Sequence, residues 1–106
     1  MPALGQLFTS GSWLVKEGKE SEFISAWKNF AEWTSRSGLG AGTGHLLQDT
    51  VNPRSFLSFG PWESQEAIQR WRSAPEFQAF LASARELCED IQPRTLSLVA
   101  LAPSST

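Results

Sequence analysis

The sequence predicts an α+β fold in which a four-stranded antiparallel sheet carries helices on one face. Three observations predict it. Short β-prone runs and helical periodicity follow each other in the order strand, helix, strand, strand, helix pair, strand. Turn signals rich in glycine and proline separate these runs. The 106 residues are 41% hydrophobic and 19% charged with one cysteine, which fits a single domain that needs no disulfide and has no multi-cysteine metal site.

The first predicted strand is Gln6–Lys16, and the first predicted helix runs from Lys19 to about Ser37. In the strand, Thr9 and Gly11 share a face, and Gly11 suggests a bulge or a close backbone approach. Apolar or small residues recur along the helix at spacings of three and four: Phe23, Ile24, Trp27, Phe30, Ala31 and Thr34. Three glycines within residues 38–42 then end the helix.

Two further strands, Thr43–Thr50 and Ser55–Trp62, flank the turn signal Asn52-Pro53-Arg54, so a hairpin is expected. The period of two predicts that Phe56, Ser58 and Gly60 share one face of the later strand. Their neighbours then share the other face: Ser55, Leu57, Phe59 and Pro61.

A pair of helices is predicted next. Ser64 can cap a short helix, and the spacing from Ser73 to Glu76, with Pro75 between them, fits a capping box that restarts helical structure. The apolar stripe that follows is the clearest in the chain: Phe77, Phe80, Leu81, Ala84, Leu87, Cys88 and Ile91. Gln92-Pro93 is predicted to end this helix, and Thr95–Ala102 is predicted as the final strand.

This order of elements is that of a ferredoxin-like split βαβ unit. Helices on one face of such a sheet leave the other uncovered, and a second copy is the simplest cover, so we expect a homodimer. The formal net charge is -2 with no basic stripe, which argues against a nucleic-acid partner. No run of about 18 apolar residues and no signal-peptide pattern is visible, so a cytoplasmic protein without a membrane span is expected.

Three stretches resemble antibiotic biosynthesis monooxygenase domains. They are Ser58–Ile68, where a tryptophan, an acidic residue and a serine follow the third strand, together with Trp71–Phe77 and Val15–Phe23. The resemblance extends from about Leu7 to Val99, and we take residues 1–106 as one such domain. It implies a dimeric α+β barrel with one pocket per subunit between sheet and helices. Family members include oxygenases that convert phenolic polyketides to quinones without a cofactor, and others degrade haem.

The chain departs from the polar residues of these relatives. In the quinone-forming members a third-strand asparagine matches Ser58, a tyrosine matches Ile68 and a pocket arginine matches roughly Leu81, so only Trp62 is retained. The haem-ligating histidine of the haem-degrading members also falls at about Leu81, and their strand-one asparagine falls near Gly11. Haem is therefore not expected as a cofactor, and no metal site is predicted.

The candidate site residues follow from these matches. His45, the single histidine, is the tentative catalytic base, since histidine is the side chain that most often serves as a general base in enzymes. Trp62 would stack on a flat ligand or, alternatively, only fill the corner between strand and helix. The predicted substrate-binding set is Trp62, Ser58, Ile68, Trp71, Leu81 and Trp33. Cys88 is read as a small buried hydrophobe rather than a nucleophile, and Arg72 as a solvated arginine or an anion ligand.

The resemblance predicts a cofactor-independent monooxygenase that uses O2 as cosubstrate on a flat aromatic or polyketide-like small molecule. The loss of the asparagine, tyrosine and arginine favours an alternative, a small-molecule-binding or cyclase-like dimer without oxidative chemistry. A purely structural or interaction module is the third hypothesis. Fold alone does not choose among them.

Overall fold

The protein is described by a computed structural model over residues 3–103. Its elements are β1 (Leu7–Val15), α1 (Glu20–Arg36), β2 (His45–Gln48), β3 (Ser55–Trp62), α2 (Gln65–Ser73), α3 (Pro75–Leu87) and β4 (Cys88–Ser97). The strands form one four-stranded sheet in the order β2-β3-β1-β4, and each neighbouring pair is antiparallel. The predicted ferredoxin-like α+β fold is confirmed. Within the described residues, no helix is both long and apolar enough to cross a membrane.

The sheet has a helix-covered face and a second face. Trp13 of β1 pairs with Phe56 of β3, and both are buried under the helices, at 8% and 3% exposure. Gly11 lies two residues before Trp13 in β1, and side chains two residues apart on a strand point to the same side, so Gly11 is on the covered face. Ser58 pairs directly with Gly11 and therefore shares this face. The second face carries apolar residues of every strand, among them Leu57 and Leu96, which are 43% and 46% exposed.

Two clusters of buried side chains lie between the helices and the sheet. The larger joins the ends of β1 and β3 to α1 and α3: Trp13, Val15, Phe23, Phe56, Phe80, Ala84 and Cys88. The smaller lies under α2 and consists of Trp62, Ala67 and Ile68. Phe23, Val15 and Ile68 have no exposed surface, which fixes both helix layers on the sheet.

The first helix follows its predicted pattern with one exception. Phe23 anchors α1 in the core, while Ile24, predicted on the same face, is 40% exposed at the rim of the helix–sheet contact. Glu20 and Glu22 occupy the first turn, where their negative charges interact favourably with the positive end of the helix dipole. The chain leaves the helix through Gly38, whose φ of +71° is in the left-handed region that favours glycine.

The prediction of the C-terminal part was wrong at the α3–β4 boundary and at the end of β4. α3 ends at Leu87 rather than at Gln92-Pro93, and β4 is Cys88–Ser97 rather than Thr95–Ala102. The reason is long-range pairing: β4 runs along β1 from the Val15–Cys88 pair onward, and this tertiary contact overrides the helical spacing of Ile91. Pro93 is tolerated because β4 is an edge strand with only β1 as its neighbour.

The caps and the hairpin strand also differ in detail. Ser64 caps α2 as predicted, since its hydroxyl accepts a hydrogen bond from the Ala67 amide at 3.1 Å. The predicted capping box of α3 does not form, because Ser73 belongs to the last turn of α2 and donates its hydroxyl to the Gln69 carbonyl. β2 is shorter than predicted, at four residues.

Candidate active site

A cavity of about 540 Å³ lies between the covered face of the sheet and all three helices. The covered face of the sheet forms its floor, with Thr9, Gly11, Trp13, Ser58 and Trp62 among the lining residues. The helices contribute mostly apolar walls: Trp27, Phe30, Ala31 and Thr34 from α1, Trp71 and Arg72 from α2, and Phe77, Phe80 and Leu81 from α3. A volume of this size is in the usual range for small-molecule sites.

Glycine at position 11 creates part of this space. A Cβ built on Gly11 would lie 2.7 Å from the Trp13 ring, closer than real Cβ contacts allow. The missing side chain lets the Trp13 indole lie over the strand, which explains the strand glycine that the sequence marked as a close approach. The absence of a side chain at Gly11 therefore sets the position of the Trp13 ring in the floor of the cavity.

The segment after α1 closes one end of the cavity. Gly42 lies against Pro61, with a Cβ position that would be 2.6 Å from the proline ring, and its amide donates to the Pro61 carbonyl at 2.8 Å. Ala41, Gly42 and Gly44 line the cavity from this side. Residues without bulky side chains thus bring the backbone close to the sheet edge.

The aromatic walls are packed around Phe30. Its ring is nearly parallel to that of Phe80, with 4.4 Å between centroids and 2° between planes. Trp71 stacks on Phe30 at 5.6 Å and meets Trp62 at 4.8 Å and 47°. These contacts hold flat, apolar surfaces around the cavity, an arrangement that suits a planar ligand.

Three indole N–H groups each donate to a hydroxyl oxygen at this site. Trp13 donates to Ser58 at 3.0 Å, Trp62 to Thr9 at 2.9 Å and Trp71 to Thr34 at 2.9 Å. None of these three hydroxyls donates its own proton to another group among residues 3–103. The cavity therefore offers hydroxyl donors, while the indole N–H groups of Trp13, Trp62 and Trp71 are already paired.

Few charged residues border the cavity. Arg72 and Arg94 are the two charged residues among its described lining residues, which include no aspartate, glutamate, histidine, lysine or cysteine. Arg94 pairs with Ser10 and so belongs to the sheet face away from the helices, whereas Arg72 lies at the end of α2 beside Trp71. The charge of the cavity border is thus positive.

Cys88 lies in the core rather than in the cavity. Burial raises the pKa of its thiol to about 11, with the positive charge of Lys16 opposing the shift. A thiol that stays protonated at neutral pH is a poor nucleophile. The prediction that Cys88 is a small buried hydrophobe is confirmed by its position, although it begins a strand instead of continuing a helix.

The model of the antibiotic biosynthesis monooxygenase family matches residues 10–83, well over half of the chain. The chain belongs to this family. A curated relative, the uncharacterized protein sll1783 of Synechocystis, is 27% identical over 100 residues, which cover 94% of this chain and 66% of that protein. The chain thus spans slightly less than two thirds of the length of that relative.

Several solved structures share the fold. SnoaB of Streptomyces nogalater, a cofactor-independent oxygenase, superposes with a TM-score of 0.84 at 19% identity over 94% of this chain and 99% of its own. Protein SO0527 of Shewanella oneidensis gives 0.79 at 22% identity over 89% and 91%. A putative antibiotic biosynthesis monooxygenase of Bordetella bronchiseptica gives 0.77 at 19% identity over 91% and 99%.

The cavity of this family member brings together part of the predicted substrate-binding set. Trp62, Ser58, Trp71 and Leu81 line it. Ile68 and Trp33 do not: α2 turns Ile68 into the core between Trp62 and Ala67, and Trp33 stacks on Phe30 outside the lining residues. Of the two, Ile68 cannot contact a ligand without a rearrangement because its surface is fully buried.

His45 does not line the cavity, although its neighbour Phe59 does. It pairs with Phe59 in the hairpin, so both side chains occupy the second face of the sheet, where their rings stack at 5.1 Å. The residue is exposed and is not among the lining residues. Its role as a base would need a path to the cavity around the sheet edge, and it stays a prediction.

Sequence reasoning missed several lining residues. Thr9 and Trp13 lie on the face of β1 that Gly11 shares, and the period of two could have identified them. Thr34, Phe30 and Phe77 lie on the apolar stripes of their helices, a position that is indistinguishable from ordinary core in the sequence. Among the described residues, no three His, Cys, Asp or Glu side chains lie close enough to hold a metal ion.

Proposed function

We propose that this family member is a cofactor-independent monooxygenase that oxidises a flat aromatic or polyketide-like molecule in the cavity between sheet and helices. The observation that supports this most is the cavity itself, which is lined both by the aromatic side chains of Trp62, Trp71 and Phe30 and by hydroxyl groups of the sheet. Such a site can hold a planar ring by its faces and its oxygen substituents by hydrogen bonds. Trp62, Ser58, Trp71 and Leu81 are the proposed substrate contacts.

The proposed chemistry uses the electrons of the substrate itself. An anthrone-type ring, once deprotonated, can pass one electron to O2; combination of the two radicals forms a carbon–oxygen bond, and loss of water leaves a carbonyl. Anthrone plus O2 thus gives anthraquinone plus water, which balances without an external reductant. The protein would supply position, desolvation and stabilisation of the deprotonated ring, and no protein-bound cofactor is needed.

The proposed assembly is a homodimer of single domains. Apolar side chains on the second face of the sheet, including Leu57 and Leu96, are more than 40% exposed in one chain. Apolar surface of this kind on a sheet marks an interaction site, and a second copy offers a matching one. Light scattering during gel filtration tests this: twice the chain mass of 11.7 kDa is expected, and a monomer at micromolar concentration contradicts it.

Oxygen consumption with anthrone tests the activity. We expect uptake above the buffer control and formation of anthraquinone, measured by absorbance and mass spectrometry. Trp71→Phe should retain most of the activity because a flat wall remains, whereas Trp71→Ala should lose at least about tenfold in kcat/KM through the missing wall. Uptake equal to the buffer control for a panel of anthrones and naphthols would refute the oxygenase.

One observation favours a second candidate, a binding or cyclase-like protein without oxidative chemistry. None of the described lining residues is an aspartate, glutamate, histidine, lysine or cysteine that could act as a general base. Quenching of tryptophan fluorescence by the same ligands, without oxygen uptake, would support this candidate. Four of the five tryptophans line the cavity, so the signal reports directly on its occupancy.

A further inference from the structure

The hydroxyl groups of Thr9 and Ser58 have an unusual hydrogen-bonding state. Each accepts from the indole of a tryptophan, at 2.9 Å from Trp62 and 3.0 Å from Trp13, and both side chains are more than nine-tenths buried. Neither hydroxyl proton has an acceptor among the described residues. Both residues line the cavity, so both hydroxyls can donate to a ligand there.

The sheet places these two hydroxyls close together. Thr9 pairs with Gly60, and Ser58 pairs with Gly11, so Thr9 and Ser58 are diagonal neighbours on the covered face. Diagonal neighbours in an antiparallel pair are about 7–8 Å apart. Both residues line the same cavity, so one ligand can meet both hydroxyls.

We infer that Thr9 and Ser58 hold a ligand oxygen that carries a negative charge, such as a phenolate or an enolate. The inference rests on the proposed function in so far as the ligand is an oxygen-bearing aromatic. It adds the charge state of that ligand and assigns its recognition to a pair of hydroxyls. The protonated ligand would release its proton to solvent or buffer as it binds, so no base on the cavity wall is required.

Charge and polarisation support this assignment. An indole N–H that donates to a hydroxyl oxygen makes the hydroxyl a stronger donor in turn, and a low-dielectric surrounding enhances the effect. Arg72 on α2 is the charged lining residue on the helix side of the sheet, since Arg94 belongs to the other face, and no described carboxylate in the lining would repel an anion. Burial in an apolar cavity opposes ionisation, so the two donors and Arg72 must outweigh the cost of desolvation.

The test measures the ionisation of a coloured phenol in the bound state. The probe is 2-hydroxyanthraquinone, whose visible absorbance changes when its hydroxyl ionises and which does not need to be oxidised to report. With the probe saturated by excess protein, we expect the midpoint of its pH titration to fall by about one pH unit relative to buffer, since hydrogen bonds to a charged oxygen are the strong ones. A midpoint at or above the buffer value, or no binding of the probe, would overturn the inference.

Matched variants locate the effect. Thr9→Val and Ser58→Ala should each return the midpoint most of the way to the buffer value, and Thr9→Ser, which keeps the hydroxyl, should retain the downward shift. Thr9→Val leaves the Trp62 N–H without its acceptor, so circular dichroism is measured alongside, and the Thr9→Ser result stands even if Thr9→Val unfolds. A shift that persists in Ser58→Ala and is absent in Thr9→Ser contradicts the assignment.

The outcomes separate this inference from the oxygenase. A lowered midpoint without oxygen uptake for any anthrone keeps the anion site and rejects the oxidation. Oxygen uptake with an unshifted or raised midpoint keeps the oxidation and rejects the anion site.

Discussion

Replacing Gly11 by alanine tests the packing argument on which the cavity depends. The added Cβ would stand 2.7–2.8 Å from three atoms of the Trp13 indole, so the ring or the strand must move. Overpacking of this kind costs about 1–3 kcal/mol, and the smaller freedom of alanine in the unfolded chain offsets about 0.4–1 kcal/mol. The expected net loss of unfolding free energy is about 1–2 kcal/mol.

Thermal and urea unfolding measure this loss. Each kcal/mol lowers Tm by roughly 4–8 °C in a domain of this size. Ser12→Ala is the matched control: it changes the next residue of the same strand, which is exposed on the second face, and should shift stability by less than about 0.5 kcal/mol.

A double-mutant cycle decides whether the indole is the cause. In the background Trp13→Leu the ring is gone, so Gly11→Ala should lose most of its destabilising effect there. An effect of equal size in both backgrounds would refute the reasoning, because it would show that the strand and not the Trp13 ring rejects a side chain at position 11.

Three further outcomes are expected. Ser64→Ala removes the hydroxyl that caps α2 and should destabilise the protein by about 1 kcal/mol in urea unfolding, whereas Ser64→Asp should be close to neutral. His45→Asn should change kcat/KM for an active anthrone by less than about twofold, because His45 is exposed on the second face, and a tenfold loss would instead assign it as the base. The pKa of the Cys88 thiol is raised from 9.0 to about 11 on folding, so the unfolded chain loses this proton first. The contribution of this thiol to the free energy of unfolding is therefore complete below pH 9 and decreases as the pH rises from 9 to 11. Cys88→Ala should remove the decrease in the free energy of unfolding that this thiol causes over that range.

The sequence was informative where structure is set by local pattern. β3 has the predicted ends, and β1 and α1 differ from prediction by a residue at each boundary, because alternation, helical spacing and glycine signals act on neighbouring residues. The prediction of β4 was wrong because the start of this strand depends on pairing with β1, more than 70 positions earlier in the chain, as in the Val15–Cys88 pair. No pattern within the segment around Cys88 carries that information.

In the candidate site, too, local sequence pattern was predictive and tertiary contacts were not. The face that Ser58 shares with Phe56 and Gly60 follows from the period of two, and the structure places Ser58 at the cavity through that face. The hydrogen bond between Trp71 and Thr34 joins two helices whose relative position is a tertiary property, so no spacing in the sequence indicates it. His45 was singled out for its chemistry alone, and its side of the sheet depends on the hairpin register.

Comparing residues position by position with the quinone-forming relatives suggested a pocket that had kept Trp62 and lost its polar partners. The cavity leads to a different interpretation. The indole N–H of Trp62 donates to Thr9, so the polar group of this tryptophan is already paired and could polarise a ligand only through the threonine hydroxyl. The hydroxyls of Thr9, Ser58 and Thr34 accept these indole hydrogen bonds at the cavity, and position-by-position matching reached only Ser58 among them. The cavity thus has polar groups that the matching did not consider, so the loss of matched polar residues is weak evidence against chemistry at this site.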